Sequence, residues 1–523
     1  MWRFTLLLLI LETFPFMTLV SQQSKGNNYP DLPLRVEIPA RSVNETYRII
    51  PSGTNGLIMF FRSQEDTDDG RTKWYFTCYD TNLQQLWVKS VPLHSDLDYR
   101  FRQDGLDTLA ILFVHSGKSK NMENLYQILR IVPRTGTLIL NSGTIENGAV
   151  IDAFGIRNDR AWIGINTRGK AGKIVNVGLK QGISKAFPLG NGDQISLIWM
   201  QPDSSAVSVS SIVRRQVSKK NAEYYLVRYD TNGLIGREVY IGMQSGERTL
   251  TQARVAGLNT GQELLLGSYG QGLVNSNLKN RPVDVSTGLF ASNIQGGNQK
   301  SIHVYNFLEL QNVNSIVGES DMTNLKKKAL KKNKPLSEYS LDYSVLMHDI
   351  FVKGDEYILA SEFFSPQYHT ESFTDFDFYG RPYTNSYSVF DGYRFYNAIF
   401  AGFDRDGKLL WDNQVEIRNL VSFELTPKVV TYLSGDDLVL CYVSDGKIGS
   451  KIIRDNEVVE KLDFTAIDML NPEDKLLSET KSGMAHWYGN YFLSYGYQEI
   501  KNISLENNNK RLVFYFSKIR YDK

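Results

Sequence analysis

A short turn phrase set between two strand-like runs recurs along this chain, and it limits the possible folds more than any other feature. It reads Tyr79-Asp80-Thr81-Asn82-Leu83-Gln84-Gln85-Leu86-Trp87, then Tyr229-Asp230-Thr231-Asn232-Gly233-Leu234-Ile235-Gly236-Arg237, and most fully Phe403-Asp404-Arg405-Asp406-Gly407-Lys408-Leu409-Leu410-Trp411. Weaker copies are Val132-Pro133-Arg134-Thr135-Gly136-Thr137-Leu138 and Tyr442-Val443-Ser444-Asp445-Gly446-Lys447-Ile448, with a further unit around Asn176-Val177-Gly178-Leu179-Lys180-Gln181-Gly182. In each, an apolar strand ends, Asp, Asn or Gly turns the chain, and a second strand leaves. Gly, Asn and Asp suit the positive-φ positions of tight hairpin turns.

Successive phrases lie 54 (Asp80 to Arg134), 96 (Arg134 to Asp230) and 41 residues (Asp404 to Asp445) apart, the longest gap holding the unit near Gly182. Units of ~40 to 55 residues, each worth about four short strands, are the signature of propeller blades. The spacing therefore predicts an all-β propeller of about seven blades, with eight possible. Its last strand, 511–516, should close the ring by pairing with residues near Leu34 to Ile38. A pair of β-sandwiches is the competing architecture; the propeller is preferred because the phrase recurs in both halves and closure protects edge strands. Aromatic residues at 12% of the chain fit this reading, since Tyr and Phe suit pleated surfaces.

At the N-terminus, Met1-Trp2-Arg3 precedes an apolar run from Phe4 to Leu11, and Ser21 precedes the polar Gln22-Gln23-Ser24-Lys25. These are the parts of a secretory signal peptide over 1–21, leaving 22–523 as one propeller domain with an insertion around 311–396. Glu12 in the middle of the run disfavours a membrane anchor, and no Cys lies near the cleavage region to take a lipid. No transmembrane span is expected after the signal. Cys78 and Cys441 both sit in apolar strand-like runs and read as buried thiols rather than a disulfide framework. Export, large size and so little Cys point to a bacterial envelope, either periplasmic or released. With a net charge of +1, no global field draws nucleic acid.

Catalytic signals are weak. Asp404-Arg405-Asp406-Gly407 opens like a calcium loop, but its twelfth position is Val415, not Glu, so a hairpin turn explains it better. Six His are scattered without ligand spacing, and there is no nucleophile elbow, P-loop or dinucleotide fingerprint. No metal, no cofactor and no catalytic residue is expected.

Two stretches break the rhythm. Residues 321–335 are Lys-rich and predict a short solvated helix ending at Pro335. Residues 363–396 carry thirteen aromatics in 34 residues, with turn formers at Pro366, Gly380-Arg381-Pro382 and Asp391-Gly392. This stretch is read as a long irregular loop insertion, and such loops are often functional. Its aromatics could stack on sugars or bury at a protein interface, with Arg381 anchoring a carboxylate. Tyr379, Arg381, Tyr383, Tyr393, Asp375 and Asp377 are the candidate binding residues. The competing expectation is that the aromatics simply pack the insertion onto the propeller.

The phrase 404–411 resembles the strand-turn-strand of pyrroloquinoline-quinone-type propeller repeats, in which a turn with Asp and Gly precedes Leu and Trp. The quinone enzymes add a vicinal Cys pair and regular docking Trp residues, which this chain lacks. The resemblance is thus to the non-catalytic branch, which implies a binding scaffold. The segment 390–413 is also similar to uncharacterised exported Bacteroidota proteins, a likeness that carries no activity. The expected function is an exported, non-enzymatic propeller binding an envelope protein or a glycan. The alternatives are a glycan-active enzyme using a carboxylate pair such as Asp375 and Asp377, or a glycan-binding module.

Overall fold

The apolar runs are used on both faces. In the strand Leu109–His115, Ile111 and Phe113 pack towards the preceding sheet, while Ala110 and Leu112 pack towards the following one. The strand Asp437–Ser444 does the same, with Leu438, Leu440 and Tyr442 on one side and Val439, Cys441 and Val443 on the other. A strand buried on both faces reads as a continuous hydrophobic run, as these do, because alternate side chains serve different cores.

In the computed structural model the described residues are 34–521, apart from 68, 105–107, 116–123, 193, 219–220, 244–247, 259–260, 272–284, 313–322, 324–326, 329, 333–341 and 503–509. They form eight antiparallel sheets, seven of four strands and one of six. Each of eight buried clusters draws its residues from two consecutive sheets, and one of them joins the last sheet to the first. First strands of neighbouring sheets touch one another, whereas fourth strands such as Ile183–Pro188 and Glu457–Ala466 are largely exposed. First strands inside and fourth strands outside is the layout of a β-propeller. The turn spacing had predicted about seven such units, with eight allowed.

Closure follows the expected strand pairing. Lys510–Arg520 pairs with Arg35–Pro39 in the register Val36↔Phe516 and Ile38↔Phe514, so the early strand completes a sheet otherwise built from 474–520. The turn phrases join third to fourth strands. Asp80, Asp230 and Asp404 each accept two backbone N–H bonds through Oδ1, from the residues two and four further on, at 2.7 to 2.9 Å. Gly233 and Gly407 have φ of 85° and 83°, as the turn requires. One expected copy is not equivalent: Asp445-Gly446 joins the second and third strands of its sheet through a two-residue turn with φ of 52° and 71°.

Cys78 and Cys441 are free and buried in different cores. Burial, with Asp80 adding to it, pushes the Cys78 thiol up to about 11, and burial alone pushes Cys441 to about 12. Within the Lys-rich stretch, Lys327, Lys328, Lys331 and Lys332 are helical and exposed, and most of its other residues lie outside the described ones. The expected signal peptide also lies outside them. No helix among the described residues is long and apolar enough to cross a membrane.

Candidate functional site

The aromatic stretch is not an irregular loop. Glu356–Phe376 and Pro382–Phe403 are strands of 21 and 22 residues, paired along their whole length as one hairpin. Near the sheet, residues such as Phe363, Phe364, Phe395 and Phe400 are core. Beyond Pro366 and Gly392 the two strands pair, among the described residues, only with each other, because the flanking strands stop at Phe364 and Tyr393. The outer part, 368–388, is therefore a two-stranded ribbon standing off the sheet, exposed except at Asn385. The loop expectation failed because a long aromatic stretch with alternating polar residues is equally a strand pattern. A signal for the hairpin was present: Asp377-Phe378-Tyr379-Gly380-Arg381 repeats the turn chemistry of the other phrases. Asp377 accepts N–H bonds from Tyr379 at 2.9 Å and Arg381 at 2.8 Å, and Gly380 has φ of 73°.

Strand alternation gives the ribbon two unlike faces. Thr370↔Ser388, Ser372↔Ser386 and Thr374↔Thr384 give one face a stripe of hydroxyl side chains, bounded by Tyr368 at the root and Phe376↔Pro382 near the tip. The other carries His369, Glu371, Phe373 and Asp375 opposite Val389, Tyr387, Asn385 and Tyr383. Along that second face runs a chain of hydrogen bonds. Nδ1 of His369 bonds Asp391 at 2.6 Å and its Nε2 bonds Glu371 at 3.3 Å, while the Tyr387 hydroxyl also donates to Glu371. Asp391 and then Glu371 hold the His369 imidazole above its ordinary range, and Tyr387 with His369 holds Glu371 below the usual carboxylate range. Sequence reasoning missed this His369–Glu371–Tyr387 group, because its members meet only in the hairpin register.

The six expected binding residues fall into three places. Phe378 (97% exposed) and Tyr379 (79%) stand at the tip, with the Arg381 guanidinium 5.8 Å from the Tyr379 ring centroid. Asp375 and Tyr383 are cross-strand partners joined by a 3.2 Å hydrogen bond. Tyr393 sits at the root, half-buried edge-on against Phe364 and Phe390. Asp375 and Asp377, the pair singled out for acid/base work, are both engaged locally, Asp377 in holding the turn and Asp375 on Tyr383 and the Phe376 N–H. Among the described residues no group of three or more His, Cys, Asp or Glu is placed to hold a metal. Beside the root, Arg394, Tyr396, Gln414, Glu416 and Arg418 line an open depression of about 610 Å³.

The fold and the ribbon together define a class: a propeller-type all-β protein with an extended hairpin on one face. No family model and no curated protein matches the sequence. Among solved structures, the chain is similar to the polysaccharide lyase Uly1 at 8% identity and a TM-score of 0.38, covering 80% of this chain and 89% of that one. It is similar to the β-propeller domain of the Trilobed protease from Pyrococcus furiosus at 8% identity and a TM-score of 0.33, covering 82% and 99%. A neuraminidase-like protein from A/bat/Guatemala/164/2009 aligns at 10% identity and a TM-score of 0.32, covering 82% and 92%.

Proposed function

We propose that this chain is an exported, non-enzymatic propeller of eight blades that captures a macromolecular partner in the bacterial envelope through the ribbon 368–388. The carrying observation is the ribbon itself. It is a two-stranded element with both outer edges unpaired among the described residues and with Tyr368, Phe373, Phe376, Phe378, Tyr379 and Tyr387 exposed. An isolated two-stranded hairpin is marginal in water, and exposed strand edges are templates for pairing with another chain. A ribbon that offers unpaired backbone at its edges and aromatic side chains at its tip suits an extended protein segment, added as a third strand. The non-catalytic branch of quinone-type propellers, which the turn phrases resemble, agrees with a scaffold role.

The test is to shorten the ribbon in register, removing 371–374 and 384–387, which keeps the tip turn and the facing of the strands. Partner capture from envelope extracts by the mature chain should yield one stoichiometric component that the shortened variant and Tyr379→Ala/Arg381→Ala both lose. The main unfolding transition should be unmoved, because none of the removed residues is buried. Central aromatic and Arg anchors are each worth ~2 kcal/mol or more, roughly 30-fold in affinity. Early melting with undiminished capture would overturn the proposal. Retention of a glycan instead of a protein would favour the lectin-like alternative.

A further inference from the structure

On the side of the ring where the ribbon rises, a second group of residues has no part in the ribbon. The hairpin tip and the connection 423–429 leave the sixth sheet at the same end, since one follows its second strand and the other its fourth. That connection runs to the first strand of the seventh sheet, yet its Glu424 pairs with Arg48 on the first strand of the first sheet, at 2.6 and 3.2 Å. The eighth sheet lies between those two in chain order, so the ion pair links parts of the ring that are not successive sheets.

Three more cations gather there. Arg102, on the first strand of the second sheet, donates to the Ile49 carbonyl at 3.3 Å. Lys481, on the first strand of the eighth sheet, donates to the Val43 carbonyl at 2.6 Å, and Lys428 donates to Thr426 Oγ1 at 3.0 Å. The Arg48 guanidinium also lies 4.5 Å over the Tyr99 ring. Among the described residues, none of Arg102, Lys428 and Lys481 has a carboxylate at ion-pairing distance. Glu362, near Lys428, spends its oxygens on His348 and on the backbone of 428–429. Four cations thus share one available carboxylate, Glu424.

Arg102, Lys481 and Glu424 are exposed to water, whereas Arg48 and Lys428 are half-buried. Burial pushes both the Lys428 and the Lys481 amines down, and it works against Arg48 too, where Glu424 outweighs it. The group therefore straddles the boundary between protein and solvent on the inner, first-strand side of the sheets. Clustered like charges that are partly shielded from water act on a ligand more strongly than the same charges scattered on an open surface.

We propose that this cluster binds an oxyanion carrying at least two negative charges, received by Arg102, Lys428 and Lys481 with Arg48 at its edge, and that Glu424 is the counter-ion it displaces. Arg presents a planar fork and Lys a mobile point charge, a combination suited to phosphate or clustered carboxylates. The site is independent of the ribbon, so ribbon-shortened protein should retain it.

The experiment is calorimetric titration of the mature chain with inorganic pyrophosphate and, separately, with citrate, at low ionic strength and again at about 150 mM, where the screening length is ~8 Å. One-to-one saturable binding of either probe, weaker in the higher salt, is expected; the better probe distinguishes phosphate from carboxylate chemistry. Arg102→Gln/Lys481→Gln should weaken it at least tenfold. Because that double variant could lose its fold, Glu424→Gln supplies the opposite sign, several-fold tighter binding through loss of the competing carboxylate. Failure of both probes to saturate, wild-type affinity in a folded double variant, or unchanged or weaker binding by Glu424→Gln would each overturn the proposal.

Discussion

Replacing Glu362 by Ala should be among the most costly single changes in the protein. The side chain is fully buried on the second strand of the sixth sheet. Its carboxylate accepts from His348 Nε2 at 2.8 Å, from the Lys428 N–H at 2.8 and 3.0 Å and from the Val429 N–H at 2.7 Å. Glu362→Ala leaves these three donors without an acceptor in the interior. Each orphaned group costs ~1 to 3 kcal/mol, and breaking a buried pair from one side typically costs ~3 to 5 kcal/mol, so about 4 kcal/mol is expected after some water enters. Glu362→Gln, which keeps one acceptor but points its amide NH2 at the donors, should lose about half as much. His348→Ala removes donor and contact together and should lose least. Urea unfolding of the three variants gives the ranking, with the midpoint moving at nearly constant slope. Hydrogen exchange supplies the local check, because the 428 and 429 amides should lose protection first in Glu362→Ala. A loss under about 1 kcal/mol, or undiminished protection at those two amides, would refute the reasoning.

Two glycines in the same kind of turn should behave differently. A Cβ at Gly233 would lie 2.4 Å from Phe187, so Gly233→Ala combines positive-φ strain with overpacking and should lose roughly 2 to 4 kcal/mol by urea unfolding, whereas Gly380→Ala, with open space around it, should leave the main transition in place. The ribbon should also respond to pH. The raised imidazole of His369 favours the folded hairpin fully below its unfolded pKa, and that contribution fades as pH rises through the folded value; the lowered carboxyl of Glu371 contributes above its unfolded pKa and fades as pH falls through its folded one. Ribbon amides should therefore be most protected at mildly acidic pH, and a monotonic profile in exchange measurements would count against the bonded pair.

Strands, turns and closure were legible because each rests on local chemistry: Asp80, Asp230 and Asp404 cap their own turns, and the buried runs declare themselves by lacking polar residues. The pairing of 511–516 with the early strand was legible too, since an edge strand at each end of a ring needs the other. The ribbon was misread for want of weight on Asp377-Phe378-Tyr379-Gly380, a turn phrase without the usual flanking apolar runs. What no local pattern carries is register and assembly. His369 meets Glu371 and Asp391 only once the hairpin pairs, and Arg48 meets Glu424 across 376 residues.

The strand Arg35–Pro39 has a consequence for how the protein is made. Among the described residues it pairs only with Lys510–Arg520, so at ~5 to 20 residues per second it must wait roughly 25 to 95 s after its own synthesis before that partner exists. Through that interval Val36 and Ile38 have no sheet to join, and the ring cannot lock. Ring closure is thereby held until Lys510–Arg520 is available, and a chain truncated after the seventh sheet would be open at both edges.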